Sequence, residues 1–462
     1  ATLVDEHPRF RTTRINVKPR YERPIIVRHV VGGSNKFGAQ PAMRVYDRFE
    51  GVPIADLVQA YDSPLFLISE RSLRDRFREL RDELAARVSR FTLAWSYKTN
   101  YIGAVCRVFH QEGAWAEVVS GLELEMALRL GMPGKQILFN GPAKSEADLE
   151  RAFRVGAHVH LDHLDEIALA ERVAERMGVR PAVGLRVNIS SLPVPTWDRF
   201  GFNLENGSAI EAIRRITRQA VLEVDTLHAH IGTFVQDADA YRLAAIALAK
   251  LAREAQDDPG VDIDTLDLGG GFASRNTLQA QYLPGEQATP TFGQYVERIV
   301  AGLEEVYAGA TLPRLVLETG RALVDDAGVL VASVIGNKRL TDGRRAVVLD
   351  AGVNVLPTAW WYRHDVFPAQ PVHGTAEPTV FLGPLCMIID VVRDRIMFSP
   401  LRTGDRVVVG RVGAYNMTQW MQFIAARPNV VMVSPGGYHA IIRKAETVET
   451  LLQQEEMPAW LA

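Results

Sequence analysis

Four short clusters in this 462-residue sequence carry side chains able to do covalent and acid–base work. Lys98 stands in Trp95-Ser96-Tyr97-Lys98-Thr99-Asn100, and His230 opens His230-Ile231-Gly232-Thr233. Three glycines follow one another at Gly269, Gly270 and Gly271, and Glu318-Thr319-Gly320-Arg321 sets a carboxylate close to a guanidinium. A buried lysine brought near neutral pKa condenses with an aldehyde to a Schiff base. A glycine-rich turn lets backbone N–H groups approach a phosphate, and an arginine adds a charged fork to the same anion. A carboxylate can hydrogen-bond a pyridinium nitrogen and hold it protonated, and an imidazole can stack on a planar ring. Singly, each has a plainer reading: a surface lysine, a tight turn, a structural Glu–Arg pair, a satisfied core histidine. Together they are the requirements of pyridoxal 5′-phosphate.

For these residues to meet, the chain must bring distant segments to one rim. Apolar runs of strand length recur as FTLAWSY (91–97), WAEVV (115–119), QILFN (136–140), AHVHLD (157–162), AVGLRVN (182–188), LEVDTLHAHI (222–231), IDTLDL (263–268) and RLVLE (314–318). Helix-period segments such as EADLERAFRVG and LDEIALAERVAERMG lie between most of them. Strands alternating with helices argue for a parallel sheet, and eight such units suit a (β/α)8 barrel, whose working residues follow the C-terminal ends of the strands. Lys98, Ser120-Gly121, Asn140-Gly141, His230, the glycine triplet and Glu318 all fall there.

The flanks read differently. After Glu318 the runs VLVASVIGN, RAVVLD, PTVFL, RVVVGRVG and NVVMVS, parted by Gly, Pro and Asp, predict a mainly antiparallel β domain. The run at 64–68 precedes the barrel and is expected to join that domain; the helix after it presents Leu73, Phe77, Leu80 and Leu84 at helical spacing. The expected fold class is thus α/β, a (β/α)8 barrel plus a mainly antiparallel β domain. Its boundaries are an N-terminal extension over 1–45, strand(s) for the β domain over 46–70, the barrel over 71–320 and the β domain over 321–462.

Composition narrows the partners. With 47% apolar and 23% charged residues and a net charge of −3, the chain has the make-up of an ordinary globular enzyme and no footprint for nucleic acid. No run of about 18 apolar residues suggests a membrane span or a signal peptide. Two distant cysteines, Cys106 and Cys386, form no disulfide framework and fit a cytoplasmic setting. No metal is expected.

These segments resemble the fold-type III pyridoxal-phosphate decarboxylases, the group of diaminopimelate, ornithine and arginine decarboxylases, from about residue 60 to 440. Tyr97-Lys98-Thr99-Asn100 is similar to that family's Schiff-base lysine segment, His230-Ile231-Gly232-Thr233 to its ring-stacking histidine segment, and Gly269-Gly270-Gly271 to its phosphate loop. Glu318-Thr319-Gly320-Arg321 is similar to Glu-Pro-Gly-Arg, with Thr319 in place of proline. Gly383-Pro384-Leu385-Cys386, with Asp390 beyond it, looks like the segment donated across a dimer interface, and Gly413-Ala414-Tyr415 like the one whose tyrosine reaches the phosphate.

The resemblance implies pyridoxal 5′-phosphate on Lys98, with Glu318 at its ring nitrogen and His230 against its face. Gly270, Gly271, Gly320, Arg321 and Tyr415 complete the cofactor set. It further implies a homodimer with shared active sites, in which Cys386 of one subunit protonates the substrate's Cα in the other; a buried structural thiol is the plainer alternative. Asp390, Thr358, Tyr362 and Met387 are the implied substrate contacts.

Two departures bear on the substrate. Diaminopimelate decarboxylases follow the cysteine with Glu-Ser and ornithine decarboxylases with Asp, whereas this chain has Met387-Ile388. Where the diaminopimelate enzymes run on to Arg-Pro-x-Leu-Tyr, an ungapped alignment puts Thr358 at the arginine and Tyr362 at the tyrosine. An unpartnered buried charge costs several kcal/mol, so a site lacking these readers should discriminate against diaminopimelate. Arg363, Arg393 or Arg395 could replace the lost charge, while Trp360, Trp361 and Met387 suggest a more apolar distal pocket. The expectation is a decarboxylase of an uncommon amino acid or conjugate, of siderophore or antibiotic type. The alternatives are meso-diaminopimelate decarboxylation for lysine, a racemase on the same fold, or a degenerate binding protein, which the joint presence of Lys98, Glu318, Arg321 and Cys386 speaks against.

Overall fold

The structure is a computed structural model, and it describes residues 43–461. The expected extension over 1–45 falls almost wholly outside the described residues.

All eight expected barrel strands are present. A first strand, β1 (Leu65–Ser69), belongs to the β domain; the barrel follows as β2 (Phe91–Ser96), β3 (Trp115–Val118), β4 (Ile137–Phe139), β5 (His158–Leu161), β6 (Ala182–Asn188), β7 (Glu223–His228), β8 (Thr265–Asp267) and β9 (Arg314–Leu317). Every neighbouring pair is parallel, and β9 pairs back with β2 to close the ring. Except for β6, which matches its run, the strands are one to several residues shorter than the apolar runs read from sequence. Lys98 sits just past β2, on a 3₁₀ turn, Tyr97–Thr99.

Local chemistry explains why the intervening helices start and stop where they do. Helix α1 (Glu70–Ala85) begins at Ser69, whose hydroxyl accepts the Ser72 N–H at 3.0 Å, and buries Leu73, Phe77, Leu80 and Leu84, the stripe expected from its period. Helix α2 (Gly121–Arg129) is capped by Ser120 in the same way. Helix α3 (Glu146–Val155) has a full Ser145–Asp148 capping box and ends at Gly156 with φ +76°, a left-handed cap that favours glycine. Trp95 on β2 stacks on Phe109 at 4.1 Å between ring centroids, fixing the strand against the helix layer.

The β domain is organised by one long strand, β10 (Gly328–Arg339). Its first half lies antiparallel to β1 and to β15 (Arg406–Gly410), and its second half to β11 (Arg345–Leu349). The remaining strands are β12 (Val366–Pro368), β13 (Glu377–Leu382), β14 (Val391–Phe398), β16 (Asn429–Val433) and β17 (His439–Arg443), of which β12, β14 and β17 lie at edges. Pairing is antiparallel except for β11 with β13 and β1 with β16. The strand before the barrel pairs within this domain, between β10 and β16. Because β10 starts a few residues past Arg321, the two units meet directly beside the last barrel strand.

Candidate active site

The C-terminal ends of the barrel strands surround a cavity of about 600 Å³. Lys98, His230, Gly270, Gly271, Glu318, Gly320, Arg321, Tyr362 and Tyr415 all line it, so nine residues singled out from sequence share one space. Two glycines permit this approach for different reasons. A Cβ at Gly320 would meet Thr99 Oγ1 at 2.1 Å, so only glycine lets the end of β9 reach the lysine turn; a Cβ at Gly270 would meet the Glu318 carbonyl at 2.5 Å.

Lys98 does not stand alone as an amine near neutral pKa. Its Nζ donates to both carboxylate oxygens of Glu117, at 3.0 and 2.8 Å. Burial works against the ammonium, but Glu117, Tyr415 and Glu318 together outweigh it and hold the Lys98 pKa above the usual lysine value. Glu117 is fully buried and was not anticipated from sequence. It also accepts from Ser96 Oγ and from Asn140 Nδ2, the latter at 3.1 Å. The signal existed: Glu117 is a lone charge at the centre of the apolar run WAEVV, where alternation turns it into the barrel. Asn140 then links the two acids, since its Nδ2 donates to Glu318 Oε1 at 2.6 Å as well.

The remaining cofactor candidates are arranged around this core. His230 Nδ1 accepts the Gly270 N–H at 3.1 Å and its ring lies 5.4 Å from that of Trp197. Burial, followed by the Lys98 charge, keeps its imidazole neutral, with a pKa well below the usual histidine value. Arg321 sits 4.5 Å from the Tyr415 ring and 5.2 Å from that of Tyr362, and its buried Nη1 has no hydrogen-bond partner among the described residues. Tyr415 holds φ +65°, a costly conformation for a bulky side chain, fixed by its N–H donating to the Thr99 carbonyl at 2.8 Å. Asp325 supports the same segment: it accepts from the Ala414 N–H at 3.2 Å and from Asn276 Nδ2 at 2.9 Å.

Residues expected to read the substrate divide. Tyr362 is in the cavity wall, joined by Trp361, Trp197, Phe200 and Phe234. Thr358 is not: it is buried behind the wall, with its hydroxyl on Asn416 Oδ1 at 2.8 Å and 2.9 Å from His364 Nε2. Asp390 is likewise buried, accepting the Val353 and Leu385 N–H groups at 2.8 and 2.7 Å. Within the chain that carboxylate clamps the Gly383–Leu385 turn and has no free face for a substrate amine. Cys386 and Ile388 beyond the turn are exposed, Met387 is half-buried, and none of the three borders the chain's own cavity. Arg363, Arg393 and Arg395 also lie outside it, whereas Arg186, which the sequence did not single out, faces inward with its guanidinium 4.4 Å from the Phe200 ring.

The donor set fits pyridoxal phosphate. A lysine amine and a buried carboxylate share the cavity, a side-chain-free cradle lies beside them, and an unpaired guanidinium nitrogen is available for an anion. Comparison with known proteins agrees. The family model "Pyridoxal-dependent decarboxylase, pyridoxal binding domain" matches residues 70–325. A diaminopimelate decarboxylase of Actinosynnema pretiosum subsp. auranticum is 32% identical over 88% of this chain and 91% of its own length. One from Zymomonas mobilis is 29% identical over 89% of this chain and 97% of its own. The solved structure of a diaminopimelate decarboxylase from M. jannaschii superposes with a TM-score of 0.83 at 25% identity, covering 91% of this chain and 99% of that one. The chain belongs to the pyridoxal-dependent decarboxylases. It is a carboxy-lyase of fold type III, and pyridoxal 5′-phosphate is its cofactor. No helix among the described residues is long and apolar enough to cross a membrane.

Proposed function

We propose that this enzyme decarboxylates an amino acid of the diaminopimelate type. The observation that carries the reading is the near full-length similarity to proteins named diaminopimelate decarboxylases, including the A. pretiosum protein. It displaces the siderophore- or antibiotic-type substrate as the first choice. Two features still favour a specialised substrate as the second reading: Thr358 is turned away from the cavity, and the wall near Tyr362 is aromatic.

When bound, pyridoxal phosphate supplies an electron sink for the pair left on Cα as carbon dioxide departs. In this reading Lys98 would hold the cofactor through its Nζ. Glu318, held by Asn140, would hold a proton at the ring nitrogen. His230, neutral and oriented by the Gly270 N–H, would support the ring, and Gly270, Gly271, Gly320, Arg321 and Tyr415 would hold the phosphate. The exposed Cys386 loop supports a homodimer in which the thiol, with Met387, enters the partner's cavity and returns a proton to Cα. Asp390 then serves by shaping that loop rather than by touching substrate.

The test is carbon dioxide release by purified holoenzyme offered meso-diaminopimelate, lysine, ornithine, arginine and citrate-linked diamino acids. Fastest turnover, by kcat/KM, of meso-diaminopimelate is expected. Preference for a conjugate instead would replace this reading by the second, and loss of optical activity without carbon dioxide would defeat both.

A further inference from the structure

Beneath the active-site cavity the barrel interior is polar, at a level ordinarily filled by branched apolar side chains. His160 on β5, His228 on β7, Asp267 on β8 and Glu318 after β9 are all buried, with polar side-chain atoms within 4.8 Å of one another. His228 Nε2 lies 3.4 Å from Glu318 Oε2. The rings of His228 and His160 are 5.0 Å apart, those of His160 and His158 5.2 Å, and His158 Nε2 is 2.7 Å from Asp225 Oδ1. Gly184 on β6 makes room for this file, because a Cβ there would strike His160 Cδ2 at 2.3 Å.

Both ring nitrogens of His160 and of His228, Nδ1 of His158 and Oδ2 of Asp267 lack any hydrogen-bond partner among the described residues. Each such buried group left dry costs about 1–3 kcal/mol, so this many in one place require water. There is a route for it. A second cavity, about 440 Å³, opens on the opposite face of the barrel among the strand starts at Trp115, Ala182, Thr265 and Arg314, and reaches inward to His158, His160 and Asp267. The active-site cavity reaches His228 and Glu318 from the other side. His228, lining the first, and His160, lining the second, face each other across 5.0 Å between ring centroids.

We propose that His228, His160 and His158, with water between them, form a proton path from Glu318 to the cavity at the N-terminal mouth of the barrel. The carboxylate assigned to the ring nitrogen would then equilibrate with solvent from the face opposite the substrate. A neutral imidazole relays by accepting on one nitrogen and releasing from the other. Burial keeps His160 and His228 neutral. The charges facing them, Lys144, Glu318 and the His158 ring around His160, and Arg186, Glu117, Lys98 and Lys144 around His228, do not reverse this. Asp267, facing Glu318 and Glu117, is pushed toward its protonated form by burial and then by Glu318. The path rests on Glu318 facing the ring nitrogen, and the experiment separates the two claims.

Holoenzyme with the cofactor fixed on Lys98 by borohydride is subjected to a pH jump, and the ring absorbance that reports its nitrogen proton is followed by stopped flow. His160→Leu is expected to reach the wild-type end-point at least about tenfold more slowly, and His160→Gln, which can still hold water, to stay close to wild type. Val179→Trp, at the exposed rim of the second cavity, should slow relaxation without touching the interior. Wild-type rates in His160→Leu, or in Val179→Trp should the first variant fail to fold, overturn the path alone. An absorbance in the wild type that ignores pH overturns the path, and an end-point unchanged in Glu318→Gln overturns the Glu318 assignment and the path with it.

Discussion

At the scale of single residues the site is a balance of charge about Lys98. Glu117 holds that amine charged, while attack on an aldehyde needs it neutral. Glu117→Gln removes the first of the opposing charges, so the Lys98 pKa falls toward its ordinary value. Cofactor capture by the apoenzyme, followed by visible absorbance, should then reach half its maximal rate at a lower pH than in wild type. An unmoved profile would show that Glu117 does not set the state of the amine. Lys98, His230, Glu318 and Arg321 were legible in the sequence because each sits in a short polar cluster after an apolar run. Glu117 and Arg186 were not singled out, because one charge inside a strand becomes meaningful only when the strand's inward face is known.

At the scale of elements, the start of α2 carries a second consequence of Glu117. Glu123, 5% exposed, accepts the Val119 N–H at 2.9 Å, and its pKa is raised to about 7, first by burial and then by the Glu117 charge. The folded protein therefore binds this proton more readily than the unfolded chain does. The stabilising contribution is complete below the unfolded value near 4.5 and is lost as pH rises through about 7. Glu123→Gln keeps an acceptor for Val119 but cannot ionise. Its stability relative to wild type should rise by about 2 kcal/mol between pH 5 and pH 8 in urea unfolding, and a constant difference would contradict the assignment. The eight barrel strands were readable as apolar runs. The edge strands β12, β14 and β17 were not, since Pro368 ends the first, Arg393-Asp394-Arg395 interrupts the second and most of the third is exposed.

For the whole molecule, the exposed Cys386 loop is the feature that a single chain does not explain. In the proposed dimer, a site built from the barrel of one subunit and the thiol of the other is intact in only one of the two positions of a Lys98→Ala/Cys386→Ala hybrid. Mixing the two inactive variants under exchange conditions should restore about a quarter of wild-type activity, since half the dimers are hybrids and each has one working site. No recovery, with subunit exchange shown by mass spectrometry, would place the thiol in its own chain's reaction or outside the reaction altogether.

The amino-acid sequence alone determined the alternation of strands and helices, the β domain after Glu318 and the cofactor chemistry. These follow from periodicity and from short polar clusters, which are local properties of the chain. Tertiary structure decided what depends on distance between segments: that Glu117 pairs with Lys98, that Thr358 and Asp390 are spent on internal hydrogen bonds, and that three histidines on β5 and β7 stand in file along the barrel axis. The physical reason is closure. Only when β9 meets β2 do alternate residues of all eight strands converge on one interior, and which side chains touch there is set by stagger between strands, which no single segment encodes.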